Sequence, residues 1–210
     1  MAFDYKKEFK FLYQPKTAPG IITVPKMNFT AVRGRGDPNA ADGEYKQAVG
    51  LLYGIAYTVK MSKMGTHRIE GYFDHVVPPL EGFWRQEGPS AFDPSRKEDL
   101  EWISVIRLPD FVTKDDFEWA LEEAARKKQA DFSKAFFFPF EEGLCVQCLH
   151  TGPYDEEPRT IAAMHAFIRD RGYALDLTER RPHHEIYLSD PNKTAPDKLK
   201  TVIRLPIRKM

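Results

Sequence analysis

Apolar and polar residues alternate over several short stretches of the chain and recur at helical spacing over three longer ones, a mixture that predicts an α+β fold. From about Asp42 to Met61 the positions Tyr45, Val49, Leu52, Ile55, Ala56 and Val59 follow the helical period, and Tyr53 and Tyr57 add an aromatic pair four residues apart. A second helix is expected in KDDFEWALEEAARKK, where Phe117, Ala120, Leu121 and Ala124 form the apolar stripe. Thr113 and Asp116 give it a capping-box-like start, and its acidic first turn and basic last turn complement the helix dipole. A third helix is expected from about Asp155 to Arg171, behind a turn at Gly152-Pro153.

Strands are expected from Asn28 to Gly34, before the turn GRGDPN, and in WISVIRLP up to Pro109. EGYFDHVVPPLEGFWRQ reads as two short strands or one bent at Pro78-Pro79. Phe136 to Glu141 forms a strand that Glu142-Gly143 turns into another beginning at Leu144. Residues 1 to 28, broken by Pro15, Pro19 and Pro25, read as an extended lead-in, and Gln86 to Asp99 as a charged loop. After the third helix the chain returns through HHEIYLSDP as a strand in which Glu185 and Tyr187 share one face while Ile186 and Leu188 share the other. A carboxylate in mid-strand is expensive unless solvated or partnered, so this strand is either a polar outer face or the floor of a ligand pocket.

The pattern also repeats. VIRLP occurs at Val105 to Pro109 and again at Val202 to Pro206, and upstream of each copy stands a Glu-x-aromatic strand, Glu81-Gly82-Phe83 and Glu185-Ile186-Tyr187. The same order of elements surrounds both copies, which points to an internal duplication. The expected architecture is a single domain over residues 1–210, built from two pseudo-symmetric strand-helix-strand-strand halves, about 29–130 and 135–210. Each half buries one sheet face under its helix. The Glu-x-aromatic strands then lie near the centre, where the exposed faces meet in a ligand cleft.

Composition narrows the class. The 31 basic and 31 acidic residues among 210 cancel, and neither sign forms a long block, so nucleic acid is a poor partner. No apolar run approaches the roughly 20 residues of a membrane span, and the charged start MAFDYKKEFKFLYQPK lacks the apolar core of a signal peptide, so a cytoplasmic, non-membrane protein is expected. Cys145 and Cys148 form a CVQC, but positions three apart on a strand face opposite sides and no further pair completes a zinc site, so both read as small buried hydrophobes. His183-His184 beside Glu185 diverge in the same way, and no metal or cofactor is expected. No nucleophile elbow is evident. Oligomeric state is left open by the sequence.

Taken together, LHTGPYDEE, HHEIYLSDP, PPLEGFW and VIRLPDFVT resemble the stand-alone GyrI-like small-molecule-binding proteins, from about Phe29 to Pro206. The resemblance implies a GyrI-like, effector-binding-domain-like fold, similar to the ligand domains of multidrug-responsive regulators, in which a strand glutamate floors an aromatic pocket. Glu185 matches that glutamate. One stand-alone branch comprises cyclopropanoid cyclopropyl hydrolases, which open the three-membered ring of DNA-alkylating natural products. The chain departs from that branch in two places: Arg85 follows Trp84 where a second aromatic is expected, and Leu108 replaces a common Gln.

Opening such a ring needs help at two ends. A carboxylate orients and partly deprotonates the attacking water, and a donor stabilises the oxygen that gathers charge. Glu185 and Tyr187 are the candidates for these roles, with Glu81 as a second carboxylate. Phe83, Trp84, Trp102, Tyr53, Tyr57 and Tyr154 are candidates for the ligand-binding walls, although alternation places Trp84 opposite Glu81. A pocket reading predicts Glu185 partly buried beside aromatic rings, with its pKa raised by desolvation. Sequestration or sensing without catalysis, and a protein-interaction module, are the alternative functions.

Overall fold

The computed structural model describes residues 2–41, 43–86 and 96–210. The expected helix start at Asp42 and most of the charged loop lie outside these residues. The described strands are β1 (Gly20–Arg35), β2 (Leu80–Gln86), β3 (Leu100–Arg107), β4 (Ala135–Thr151), β5 (Tyr173–Leu175), β6 (His183–Tyr187) and β7 (Lys200–Lys209). The helices are α1 (Tyr5–Glu8), α2 (Lys10–Tyr13), α3 (Glu44–Met61), α4 (Lys114–Lys128) and α5 (Glu157–Asp170). Thr113 and Asp116 form the full capping box of α4.

Six strands hydrogen-bond in the order β4-β1-β3-β2-β6-β7, and β7 pairs with β4 to close a barrel; β5 extends β7. Every neighbour is antiparallel. The expected halves are visible in this order. β3 lies between β1 and β2, and β7 lies between β4 and β6, so the two VIRLP copies hold equivalent central places. The sheet faces turned away from the helices do not meet in a cleft, as the sequence suggested. They roll into the barrel interior, around Phe29, Ala31, Phe83, Val105, Cys145, Ile186 and Val202. The helix-side faces carry two further cores, one under α3 and α4 that includes Trp84 and Trp102, and one against α5 that includes Val146, Cys148 and Ile203. Cys145 and Cys148 are buried on opposite faces as small apolar groups.

The lead-in differs from the extended stretch expected. Residues 5–13 form two single-turn helices that place Tyr5, Leu12 and Tyr13 in the barrel core, and β1 already begins at Gly20. Helices of four residues are too short to show a period and are held by their docking. Arg204 Nη2 donates to the Leu12 carbonyl, and Gln147 Nε2 donates to that of Phe11 at 2.7 Å. Pro25 sits in a stretch of β1 that pairs only with β4, and the register passes over it between Val24 and Lys26, a position that tolerates a missing N–H.

The repeat itself carries a shift. Glu81 faces Val105 and Gly82 faces Ser104, whereas Ile186 faces Val202 and Tyr187 faces Thr201. With the VIRLP copies aligned, Glu81 therefore corresponds to Ile186, and Glu185 corresponds to Leu80. The two Glu-x-aromatic motifs are out of register by one residue, and one residue is enough to reverse the face of every side chain. Glu81 and Phe83 point into the barrel while Glu185 and Tyr187 point to the helix side.

Candidate functional site

A cavity of about 920 Å³ lies on the helix side of the β2–β6 pair, between α3 and the N-terminal end of α5. Along α3 a four-residue repeat of Tyr45, Val49, Tyr53 and Tyr57 supplies one wall. Strand β2 contributes Leu80 and Trp84, β6 contributes His183, Glu185 and Tyr187, and the segment entering α5 contributes Tyr154 and Glu157. Of the residues singled out from the sequence, Glu185, Tyr187, Tyr53, Tyr57, Trp84 and Tyr154 meet here. Glu81, Phe83 and Trp102 do not line this cavity. The register shift turns the first two into the barrel. Trp102 is buried under α3 with its ring edge-on to Tyr45, the centroids 5.1 Å apart.

The polar floor is a hydrogen-bonded chain. Trp84 Nε1 donates to Tyr187 Oη at 2.8 Å, and Tyr187 Oη donates to Glu185 Oε2, also at 2.8 Å. The other carboxylate oxygen, Oε1, lies 2.9 Å from His183 Nε2. Register builds this chain, because Trp84 pairs with His183 and Gly82 pairs with Glu185 on the same face. Gly82 leaves the necessary room: a Cβ there would come within 2.5 Å of Trp84 Nε1 and 3.1 Å of Tyr187 Oη. Tyr45 stacks on Trp84 with centroids 5.5 Å apart, and Tyr154 meets Tyr187 edge-on at 5.9 Å.

Electrostatics separates two carboxyls of the cavity, Glu185 and Glu157. Burial disfavours charge on Glu185, but the hydrogen bond and charge of His183 and the hydroxyl of Tyr187 outweigh it and hold its pKa below the ordinary range. This corrects the expectation that desolvation would raise it. The raised group is Glu157, pushed well up by burial and by the charge of Glu185. Burial and then Glu185 also push the Tyr187 phenol well up, and burial with Glu157 brings Tyr154 to about 12. Tyr187 is thus a neutral phenol whose proton is committed to Glu185, which makes it a positioning group for that carboxylate rather than a free donor to a distant oxygen.

Sequence reasoning missed Tyr45, Glu157 and His183. His183 shares a strand face with Glu185, and Tyr45 heads the stripe that contains Tyr53 and Tyr57, so both signals were present. Glu157 stands in an acidic helix start, which reads as dipole complementation. One donor atom each from Glu157, His183 and Glu185 falls within 4.8 Å of the others, and His183 Nε2 is hydrogen-bonded to Glu185.

Beneath this floor, on the barrel side of β6, lies a second polar cluster. His184 is fully buried, with Nε2 3.0 Å from Glu81 Oε2 and Nδ1 3.0 Å from Glu142 Oε1; Arg204 Nη1 reaches Glu142 Oε1 at 3.1 Å. Burial opposes charge on both His184 and Glu142. Their mutual attraction, with Arg204 and Glu81, prevails, raising the imidazole and lowering Glu142 to about 2.

Comparison with known proteins agrees with this architecture. A hydrolase from Listeria innocua is 50% identical over 98% of this chain and 100% of its own, with a TM-score of 0.89. An uncharacterised conserved protein from the same organism is 52% identical over 98% and 100%, with a TM-score of 0.92. The C-terminal domain of EcmrR shares the fold at 14% identity over 91% and 98% of the chains, with a TM-score of 0.54. No curated protein matches the sequence. Residues 104–208 match the GyrI-like small molecule binding domain, and with relatives at half identity over its whole length the chain belongs to that family.

Proposed function

We propose that the cavity binds planar aromatic small molecules and hydrolyses those that carry a cyclopropane conjugated to a dienone. The observation that carries this reading is an ionised carboxylate, Glu185, fixed by His183 and Tyr187 on the floor of a cavity walled by Tyr45, Tyr53, Tyr57, Trp84 and Tyr154. The hydrolase from Listeria innocua at 50% identity supports an enzyme over a passive binder. A water held by Glu185 gives up a proton to the carboxylate as its oxygen bonds to the ring carbon. The strained carbon–carbon bond breaks, and its electron pair moves through the conjugated system to the carbonyl oxygen, which becomes a phenolate and then takes a proton. His183 and Tyr187 hold the carboxylate oxygens in place, so little reorganisation is needed at the moment of reaction. Wall tyrosines supply the hydroxyl donor at the distant oxygen.

Incubation with a cyclopropanoid alkylator followed by mass spectrometry tests the reading: the product should gain the mass of one water. Glu185→Gln should lower turnover by about 10²- to 10⁴-fold while neutral ligands still bind. Binding without addition of water would instead establish sequestration.

A further inference from the structure

Glu157 has no role in that mechanism, yet its placement is unusual. It sits in the first turn of α5, only 6% exposed, and lines the cavity. Its Oε1 finds no hydrogen-bond partner among the described residues. One of its oxygens lies within 4.8 Å of a Glu185 oxygen and of a His183 nitrogen. The groups facing it are Glu185, His183 and Tyr187 from β6, Thr201 from β7, and Tyr154 and Asp155 from the turn before α5. Among these, His183 is already committed to Glu185. Two carboxyls this close in a partly dehydrated wall do not both ionise, and Glu157, whose hydrogen-bonding neighbours are Thr201 and Glu185 itself, keeps the proton. Both donors, His183 and Tyr187, serve Glu185. A buried acid with an unsatisfied oxygen is costly, a cost that persists at sites with a function.

We propose that Glu157 is a second cation-binding carboxyl of the cavity, masked by a proton in the empty protein and unmasked when an aromatic cation enters, so that such a ligand is exchanged for one proton. A cation between the two carboxylates supplies the positive partner that Glu157 lacks and removes the repulsion from Glu185. The raised pKa of Glu157 in the empty cavity fits this exchange. Neutral planar ligands offer no such compensation and leave the proton in place. The cavity therefore accepts both classes and adjusts its own charge by one unit between them. The inference rests on the cavity being the ligand site but is independent of catalysis.

Ethidium serves as a planar monocation for the test. Calorimetric titration near neutral pH in two buffers of different ionisation enthalpy counts protons, and about one should be released per ethidium bound. By linkage the affinity should then rise by up to tenfold per pH unit through the range where free Glu157 is protonated and bound Glu157 is not. Glu157→Gln should abolish both the proton release and this slope while keeping the parent's affinity at the acidic end. Absence of proton release from the parent, or undiminished release from the variant, overturns the proposal. Failure of ethidium to bind the parent overturns it as well, while retained binding of a neutral planar compound would leave the ligand site itself standing. Should the variant not fold, absence of proton release from the parent still overturns the proposal.

Discussion

The missing side chain of Gly82 decides whether the floor of the cavity can exist. Gly82→Ala would drive a methyl against Trp84 Nε1 and Tyr187 Oη, so the indole has to leave its hydrogen bond. Ligand affinity should fall at least about tenfold, the worth of a single lost hydrogen bond to a positioned group; fluorescence titration would show it, and unchanged affinity would mean that the Trp84–Tyr187 link is dispensable. Tyr187→Phe tests the next link. Tyr187 helps keep the Glu185 pKa low, so removing its hydroxyl raises that pKa. A base works above its pKa, and the acid limb of the kcat/KM profile should therefore move to higher pH; a profile that stays in place would refute the positioning role. At this scale the sequence was informative wherever alternation in one strand settles the face, as for Glu185 and Tyr187. It was silent on Glu157, because an acid in a first helical turn has a sufficient local explanation. It misjudged Glu81, whose face depends on a register that only pairing reveals.

Strand β6 is a partition with polar clusters on both sides. His183, Glu185 and Tyr187 face the cavity while His184 faces the barrel between Glu81 and Glu142. Replacing His184 by Leu would leave Glu81 without its cationic partner and Glu142 with Arg204 alone, and a loss of roughly 3 to 5 kcal/mol is expected in urea unfolding. The same cluster sets an acid limit. Glu142 is held at about 2 when folded against an ordinary 4.5. A depressed carboxyl contributes stability above its unfolded pKa and loses it as pH falls towards the folded value, so stability should decline from about pH 4.5 downwards, less steeply in Glu142→Gln. A parent that is equally stable at pH 3 and pH 6 would contradict this. Long elements such as α3 and α4 were legible because period and capping agree. The single-turn helices α1 and α2 were not, since tertiary contacts alone sustain them.

Across the whole molecule the N-terminal segment closes one end of the barrel. The guanidinium of Arg107 lies over the rings of Tyr5 and Phe9 at 4.7 and 4.6 Å, and Arg204 donates to the Leu12 carbonyl. These are the arginines of the two VIRLP copies, so both halves of the repeat depend on the same plug. Removal of residues 2–16 should cost more than about 3 kcal/mol and lower Tm by roughly 10 °C, read by calorimetry. A truncated chain as stable as the parent would show that the barrel closes on its own. The duplication that organises the fold was readable from five repeated residues, but the location of the cleft was not. A list of strands does not say which face of the sheet rolls inward.

On the proposed reading of the cavity, that one-residue shift between the halves also governs how a guest lies in it. Across the local pseudo-twofold the counterpart of Glu185 is Leu80, and the counterpart of Tyr187 is Gly82. Had the halves stayed in register, a flat molecule turned end over end about the axis would meet the same strand floor in both poses. With acid and phenol on one side and leucine and glycine on the other, the two poses differ in energy. The chain keeps the economy of a doubled scaffold and gains a sense of direction, presenting one end of its ligand, and not the other, to the carboxylate.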